Sequence, residues 1–348
     1  MVASLIRQQV AILPDSFPVF TIDMNSPGND ISLAVDDPRF RLQEDLPKPD
    51  FLLAGGAKCG TTSFAAYFPS HPQVLPWMVK EPNFWSWRKP SASQYQSLFC
   101  NVSPNGAPGP EGAVGGDYST SSLLHPLVGR RLVGQLPQLK IIVMLRNPID
   151  RAYSHFIMSQ RSGLENDQAF EDIVRVEMEQ APALLEAHAR GFEHASGTVE
   201  HCCQDDSGNT LNFSLHNRNW TQRPLRADVD LQAFYYTSYV FRSIYCDQLE
   251  RWLRLYPREQ ILIMQSEAFF RDPAGHMADA AAFLGLQEHD FSSDPELKRK
   301  YAGSAAGDWA PPEKYPPMPG KTRKALRSFF APYNQKLYDL LGQDYGWK

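Results

Sequence analysis

Residues 51–63 read FLLAGGAKCGTTS, a short apolar run followed by glycines and then by small polar residues. A continuous apolar run that meets glycines is typical of a buried strand ending in a tight turn. The pattern after the glycines predicts a helix over residues 62–68 that ends near Pro69. The stretch therefore predicts a strand–loop–helix unit, with the glycine-rich loop at the carboxyl end of the strand.

Two further apolar runs, residues 140–145 (KIIVML) and 261–264 (ILIM), show no alternation of polar and apolar residues. Strands that are buried on both faces have this pattern, as in a parallel sheet covered by helices. Helical patterns lie around these runs, over residues 151–161, 170–189, 238–256 and 273–284. We therefore predict an α/β fold, a three-layer sandwich with a central parallel sheet flanked by helices.

The chain divides into a short leader and one domain. Residues 1–48 are rich in Pro, Asp and Ser and predict an irregular N-terminal leader that wraps the domain surface. Residues 49–348 are predicted to form a single domain. Within it, residues 191–226 are polar and irregular, which favours an insertion or a mobile loop.

The glycine-rich loop carries groups that bind anions. Glycines let the backbone approach an oxyanion, the first amides of the next helix point toward it, and Lys58 adds a positive charge. A nucleoside triphosphatase loop ends in Gly-Lys-Ser/Thr, whereas Gly60 is followed by two threonines, and Arg146 stands where a magnesium-binding Asp would be. The pattern is P-loop-like and predicts an anion site without a metal. The alternatives are a tight turn with a solvated lysine and a surface ion pair for Arg146.

These segments resemble the PAPS-dependent sulfotransferases, which use 3′-phosphoadenosine 5′-phosphosulfate (PAPS) as sulfonate donor. Residues 145–154 (LRNPIDRAYS) resemble their 3′-phosphate motif, and the resemblance implies that Arg146 and Ser154 bind that phosphate. Residues 58–63 (KCGTTS) resemble their 5′-phosphosulfate loop. The residues this implies as donor contacts are Lys58, Cys59, Gly60, Thr61, Thr62 and Ser63.

The segment KEPNFW, residues 80–85, is similar to the segment that carries the catalytic glutamate in heparan sulfate sulfotransferases, a carbohydrate-sulfating branch of that family. The resemblance implies Glu81 as the general base and no metal. Lys58 is the candidate to stabilise the charge on the leaving phosphate, and Lys80 is the candidate to keep Glu81 ionised or to contact the transferring sulfonate. Residues 117–119 resemble a family segment that lines the acceptor cleft, which implies that Asp117 orients the acceptor. Trp85 belongs to an aromatic cluster around the proposed base, and the alternatives for this cluster are stacking on the acceptor and packing in the core.

A late loop departs from the pattern of that branch. In those enzymes this loop carries a disulfide and a Lys-Gly-Arg element, whereas residues 301–314 contain no cysteine. Lys321 and Arg323 are the candidates to supply the missing positive charge to the nucleotide. The family resemblance implies transfer of a sulfonate from PAPS to a hydroxyl or amine of an acceptor, and the departure leaves that acceptor open between a carbohydrate and a small-molecule alcohol, phenol or lipid.

Other functions remain as alternatives. Small-molecule sulfotransferases use a histidine base, for which His125 and His155 are the candidates by position. A P-loop phosphotransferase predicts a magnesium ligand and a Gly-Lys-Ser/Thr ending, and both are missing from the sequence. A non-catalytic module that binds nucleotide or sulfated glycan is the third alternative.

Composition limits the partners and the compartment. The formal net charge is −5, which argues against a nucleic-acid partner, and no apolar run reaches the length of a membrane span. The five cysteines have no regular spacing, and the N-terminus lacks a signal-peptide core, so a cytoplasmic location is favoured. Glycosylation sequons at Asn101, Asn212 and Asn219 keep the alternative of the Golgi lumen, for a protein whose anchor or signal has been removed.

Overall fold

The computed structural model describes residues 38–87, 91–100, 109–162, 169–193, 238–293 and 316–347. Within these residues, four parallel strands form one sheet in the order β2-β1-β3-β4. The strands are β1 Phe51–Gly55, β2 Gly116–Asp117, β3 Lys140–Leu145 and β4 Ile261–Gln265. The three apolar runs are confirmed as strands of a parallel sheet, and β2, of two residues, is an addition.

Both faces of the sheet are buried, and successive residues of a strand point to opposite cores. Ile141 and Val143 of β3 join one cluster of buried side chains, whereas Ile142 and Met144 join the other. All four are 0% exposed. This two-sided burial explains why the strands lack polar alternation, and it confirms the predicted three-layer arrangement.

Ten helices cover the sheet in the described part of the chain. They are α1 Thr61–Tyr67, α2 Phe84–Trp87, α3 Ala92–Ser97, α4 Val128–Val133, α5 Pro148–Arg161, α6 Phe170–Glu193, α7 Tyr245–Leu255, α8 Ser266–Arg271, α9 Pro273–Leu284 and α10 Gly320–Leu341. Helices α1, α8 and α9 pack on one face, and the others pack on the opposite face. The sheet therefore lies between two helical layers.

One predicted helix is wrong at its start. The pattern predicted a helix over residues 238–256, but α7 begins only at Tyr245. The buried Glu177 carboxylate accepts hydrogen bonds from the backbone N–H groups of Tyr239, Val240 and Phe241. Because a side chain satisfies these amides, the segment before α7 does not form an α-helix, and only a short 3₁₀ helix, Phe241–Ser243, precedes α7.

The end of the leader is part of the core. Phe40 and Leu42 are 1% and 8% exposed and belong to one of the two core clusters, so residues 38–48 do not simply lie on the surface as predicted. Residues 1–37 lie outside the described residues. Of the predicted loop 191–226, residues 191–193 complete α6, and the remainder lies outside the described residues. No helix in the described ranges is long and apolar enough to cross a bilayer.

Candidate functional site

The glycine-rich loop joins β1 to α1 at the carboxyl edge of the sheet. Lys58 and Gly60 have left-handed backbone, with φ angles of 68° and 89°, and Gly60 is the N-cap of α1. A Cβ atom at Gly60 would lie 2.8 Å from Cζ of Phe270. Glycine is therefore required at residue 60 by both the backbone angle and the space available.

The second motif lies directly beside this loop. Arg146 follows β3, and its Nη1 donates a hydrogen bond to the backbone oxygen of Lys58 at 3.2 Å. Asn147 caps α5 by accepting from the backbone N–H groups of Ile149 and Asp150. Ser154 lies about two turns after Asn147 along α5 and is buried. The fold thus brings together the two segments that the sequence singled out, from positions 88 residues apart.

Arg151 links the glycine-rich loop to the segment before α7. Its side chain is 0% exposed and donates to Ser243 Oγ at 2.5 Å, to the backbone oxygen of Tyr239 at 2.5 Å and to that of Ala57 at 3.4 Å. The contact with Ala57 fixes the carbonyl that precedes Lys58 in the loop. Arg151 lies within the motif at residues 145–154, but its role is not predictable from the sequence because its partners lie far away along the chain.

Positive charges converge on Lys58. The pKa of Lys58 is lowered to about 8, by burial first and then by the charges of Arg146, Arg151 and Lys80, while the charge of Glu81 opposes this change. Its Nζ atom donates to the sulfur of Met158 at 3.4 Å, a weak acceptor. A cluster of like charges with this little compensation favours the binding of an anion.

Glu81 lies beside the cluster and remains accessible. Its side chain is 32% exposed, and Oε1 accepts from Lys80 Nζ at 2.9 Å and from Thr120 Oγ1 at 3.3 Å. A carboxylate that is held in place and still reaches solvent can take a proton from a bound hydroxyl. Thr120 was not a sequence candidate, although it lies in the polar run that follows Asp117.

The two expected acceptor contacts are buried instead. Trp85 and Asp117 are each 1% exposed, and both bind the hydroxyl of Tyr95: Trp85 Nε1 donates to it at 2.9 Å, and it donates to Asp117 Oδ2 at 2.7 Å. The second Asp117 oxygen accepts from the backbone N–H of Ser119 at 2.9 Å. The expectation that these side chains contact an acceptor is therefore wrong, because both are buried and already make hydrogen bonds in the interior.

Lys321 and Arg323, the candidates to supply the positive charge missing from the late loop, lie at the start of α10. Arg323 donates to Asp150 Oδ1 of α5 at 2.6 Å, which places it near the first turn of the helix that carries Ser154. Lys321 is exposed. Residues 294–315, which precede them, lie outside the described residues.

The histidines and the loop cysteine have structural surroundings. His125 is 3% exposed and its Nδ1 accepts from the backbone N–H of Leu127, while His155 is also 3% exposed and packs edge-on against Tyr239. Burial raises the pKa of the Cys59 thiol to about 11, so the thiol is protonated at neutral pH. In the described ranges, no group of three or more His, Cys, Asp or Glu side chains is arranged to hold a metal ion.

Comparison with known proteins gives a consistent family. The sulfotransferase domain model matches residues 48–300. The membrane-associated sulfotransferase kil1 of Dictyostelium discoideum is 24% identical over 340 residues, which cover 86% of this chain and 66% of that relative. Human heparan sulfate glucosamine 3-O-sulfotransferase 6 is 24% identical over 311 residues, covering 86% of this chain and 73% of its own. Mouse carbohydrate sulfotransferase 15 is 23% identical over 350 residues, and the match spans 54% of its length.

A solved structure supports the fold. The crystal structure of a sulfotransferase from Alicyclobacillus acidocaldarius superimposes with a TM-score of 0.55 at 24% identity, covering 86% of this chain and 98% of that one. At this identity the likeness concerns the fold alone. The family model, which matches well over half of the residues, carries the assignment. The chain is a member of the sulfotransferase family of enzymes.

Proposed function

We propose that this enzyme transfers a sulfonate group from PAPS to a hydroxyl of a carbohydrate acceptor, with Glu81 as the general base. The observation that carries the proposal is the meeting of the two anion-binding segments, through the bond from Arg146 to the backbone oxygen of Lys58, next to the Lys80–Glu81 pair. A donor held by the first two residues would thus lie close to an accessible base.

The residues present fit a nucleotide that carries several negative charges. Lys58 and the amides of residues 60–63 would hold the 5′-phosphosulfate, while Arg146 and Ser154 would hold the 3′-phosphate. The pKa of Lys58 is lowered first by burial and then by neighbouring positive charges, whose effect an anionic ligand would offset. No residue arrangement for a metal is needed in this scheme.

The chemistry assigns one task to each charged side chain. Glu81 accepts the proton of the acceptor hydroxyl while the hydroxyl oxygen forms a bond to sulfur. The bond between sulfur and the 5′-phosphate oxygen breaks at the same time, and Lys58 stabilises the charge that develops on the leaving phosphate. Lys80 holds Glu81 in place and lies near enough to contribute positive charge to the sulfonate.

The acceptor class rests on the relatives. Two of them carry a carbohydrate in their names, heparan sulfate glucosamine 3-O-sulfotransferase 6 and carbohydrate sulfotransferase 15. The alternative acceptor class, a small-molecule alcohol, phenol or lipid, is left open by the departure of residues 301–314 from the pattern of the carbohydrate branch.

Transfer of radiolabelled sulfonate from PAPS to heparan sulfate and to 2-naphthol tests the proposal and separates the two acceptor classes. We expect transfer to heparan sulfate and a decrease of kcat by about 10²–10⁴-fold in Glu81→Gln, with unchanged binding of the nucleotide product. Glu250→Gln is a matched control, because Glu250 is 33% exposed and is likewise paired with a lysine. Wild-type kcat in Glu81→Gln, or no transfer to either acceptor, contradicts the proposal.

A further inference from the structure

A buried chain of hydrogen bonds lies behind Glu81. It comprises Trp85, Tyr95, Asp117 and Ser119, each no more than 1% exposed, and we refer to these four residues as the Asp117 network. The bonds run from Trp85 Nε1 to the Tyr95 hydroxyl, from that hydroxyl to Asp117 Oδ2, and from the Ser119 N–H to Asp117 Oδ1. The carboxylate therefore accepts at both oxygens and faces no solvent.

The direction of these bonds is fixed by the chemistry of the groups. The indole N–H of Trp85 can only donate, so the Tyr95 oxygen accepts from it and its own proton goes to Asp117. Burial raises the pKa of the Asp117 carboxyl, while the bonds from Ser119 and Tyr95 oppose that rise. An amide in place of the carboxylate cannot accept at both positions.

The network connects to Glu81 through Ser119 and Thr120, the second and third residues after Asp117. Ser119 Oγ accepts from the backbone N–H of Asn83 at 2.9 Å, and Thr120 Oγ1 donates to Glu81 Oε1 at 3.3 Å. Asn83 Nδ2 also donates to the backbone oxygen of Glu81 at 2.9 Å. The carboxylate and the backbone of the base segment are thus held from the same short stretch.

The backbone at this point needs such support. Glu81 and Asn83 have left-handed φ angles of 59° and 51°. This conformation is unfavourable for a residue with a side chain, and it persists where surrounding contacts over-determine it. Without those contacts, Glu81 would relax toward ordinary backbone angles and its carboxylate would move.

We propose that Asp117 is a positioning residue for Glu81, acting through Ser119 and Thr120, and that the hydroxyl of Tyr95 is the second support of this arrangement. The proposal rests on the proposed role of Glu81 as base. It replaces the expectation that Asp117 touches the acceptor, because both carboxylate oxygens are already bonded in the interior. A small displacement of a general base is enough to lower the rate strongly.

The test compares Tyr95→Phe, Asp117→Asn and the double variant in the transfer of radiolabelled sulfonate from PAPS to heparan sulfate. We expect kcat to decrease about tenfold in Tyr95→Phe and about fiftyfold in Asp117→Asn, with the KM for heparan sulfate and the Kd for 3′-phosphoadenosine 5′-phosphate (PAP) within about twofold of wild type. The double variant is expected to match Asp117→Asn, since both changes break one unit.

Tyr256→Phe is the matched structural control. Tyr256 is 1% exposed and its hydroxyl donates to the backbone oxygen of Leu136 at 3.2 Å, in another part of the core. This variant loses a buried hydroxyl of the same kind and is expected to keep wild-type kcat. A decrease of kcat in Tyr95→Phe no larger than in Tyr256→Phe overturns the proposal, as does a raised KM with wild-type kcat in Asp117→Asn. Should Asp117→Asn fail to fold, Tyr95→Phe alone decides.

Two further readouts separate this proposal from the function on which it rests. If Glu81→Gln keeps wild-type kcat, the base assignment fails and this proposal with it; if Glu81→Gln is inactive while Tyr95→Phe behaves as Tyr256→Phe, only the positioning role fails. Crystal structures with PAP give an answer without any acceptor. We expect Glu81 Oε1 to move beyond 3.5 Å from Thr120 Oγ1 in Tyr95→Phe and not in Tyr256→Phe. An unmoved carboxylate in that variant overturns the proposal.

Discussion

Binding of PAP is expected to take up a proton at Lys58. In the free protein the pKa of Lys58 is lowered to about 8, by burial first and then by Arg146, Arg151 and Lys80. A bound phosphate would counter this effect and return the pKa toward the ordinary value of 10.5. Binding of the anion therefore favours the protonated lysine and must draw a proton from solution wherever free Lys58 is neutral.

The magnitude follows from the difference between the two pKa values. At pH 8 free Lys58 is half neutral, so about 0.5 proton is taken up, and at pH 9 about 0.9. The affinity for PAP should fall by up to about tenfold per pH unit above pH 8, which amounts to about 25-fold between pH 7.5 and 9.5. Over this range the phosphates of the ligand are already ionised, since their second pKa is about 6.

Isothermal titration calorimetry in pairs of buffers with different ionisation enthalpies measures this uptake directly. Lys58→Arg is the control, because a guanidinium stays protonated throughout the range and its binding should show no uptake. Uptake below about 0.1 proton at pH 9 in the wild type would falsify the reasoning about the charge cluster, and equal uptake in wild type and Lys58→Arg would refute the assignment to Lys58.

Two further predictions concern the structural support of the loop. Arg151→Met should destabilise the protein by about 3–5 kcal/mol, because three acceptors lose their donor. Arg175→Met, at a side chain that is 60% exposed, should change stability by less than about 0.5 kcal/mol. Urea denaturation measures both, and similar values for the two variants would contradict the role of Arg151. Gly60→Ala should raise the Kd for PAP about tenfold, because the added Cβ would displace the ring of Phe270. Gly342→Ala, at a φ of 67° in open space, should leave the Kd unchanged in the same calorimetric assay.

The fold was largely predictable because burial on both faces leaves a clear mark in the sequence. The runs at residues 140–145 and 261–264 have apolar side chains for both cores, and this is visible without knowledge of the partners. Strand β2 was not predictable, since two residues carry no periodicity. The start of α7 was misjudged because the carboxylate of Glu177, more than sixty residues earlier, pairs the amides that a helix would otherwise use.

The meeting of the glycine-rich loop and Arg146 was predictable although the two lie far apart in the chain. The glycine-rich loop and Arg146 follow strands of a parallel sheet, so the fold itself brings them to one edge. Trp85 was misplaced although it lies only four residues after Glu81. Between them the backbone is left-handed at Glu81 and Asn83, and the Glu81 side chain reaches solvent whereas Trp85 lies in the core. The residue type of Glu does not predict such backbone angles.

Binding of PAP without magnesium tests the central claim most directly. Calorimetry of PAP, ADP and ATP with wild type and Arg146→Ala asks whether the site selects the 3′-phosphate. We predict that PAP binds more tightly than ADP or ATP in the absence of metal, and that Arg146→Ala loses about 10–100-fold for PAP with little change for ADP. Tighter binding of ATP than of PAP, or a requirement for magnesium, would contradict the account and favour a P-loop phosphotransferase.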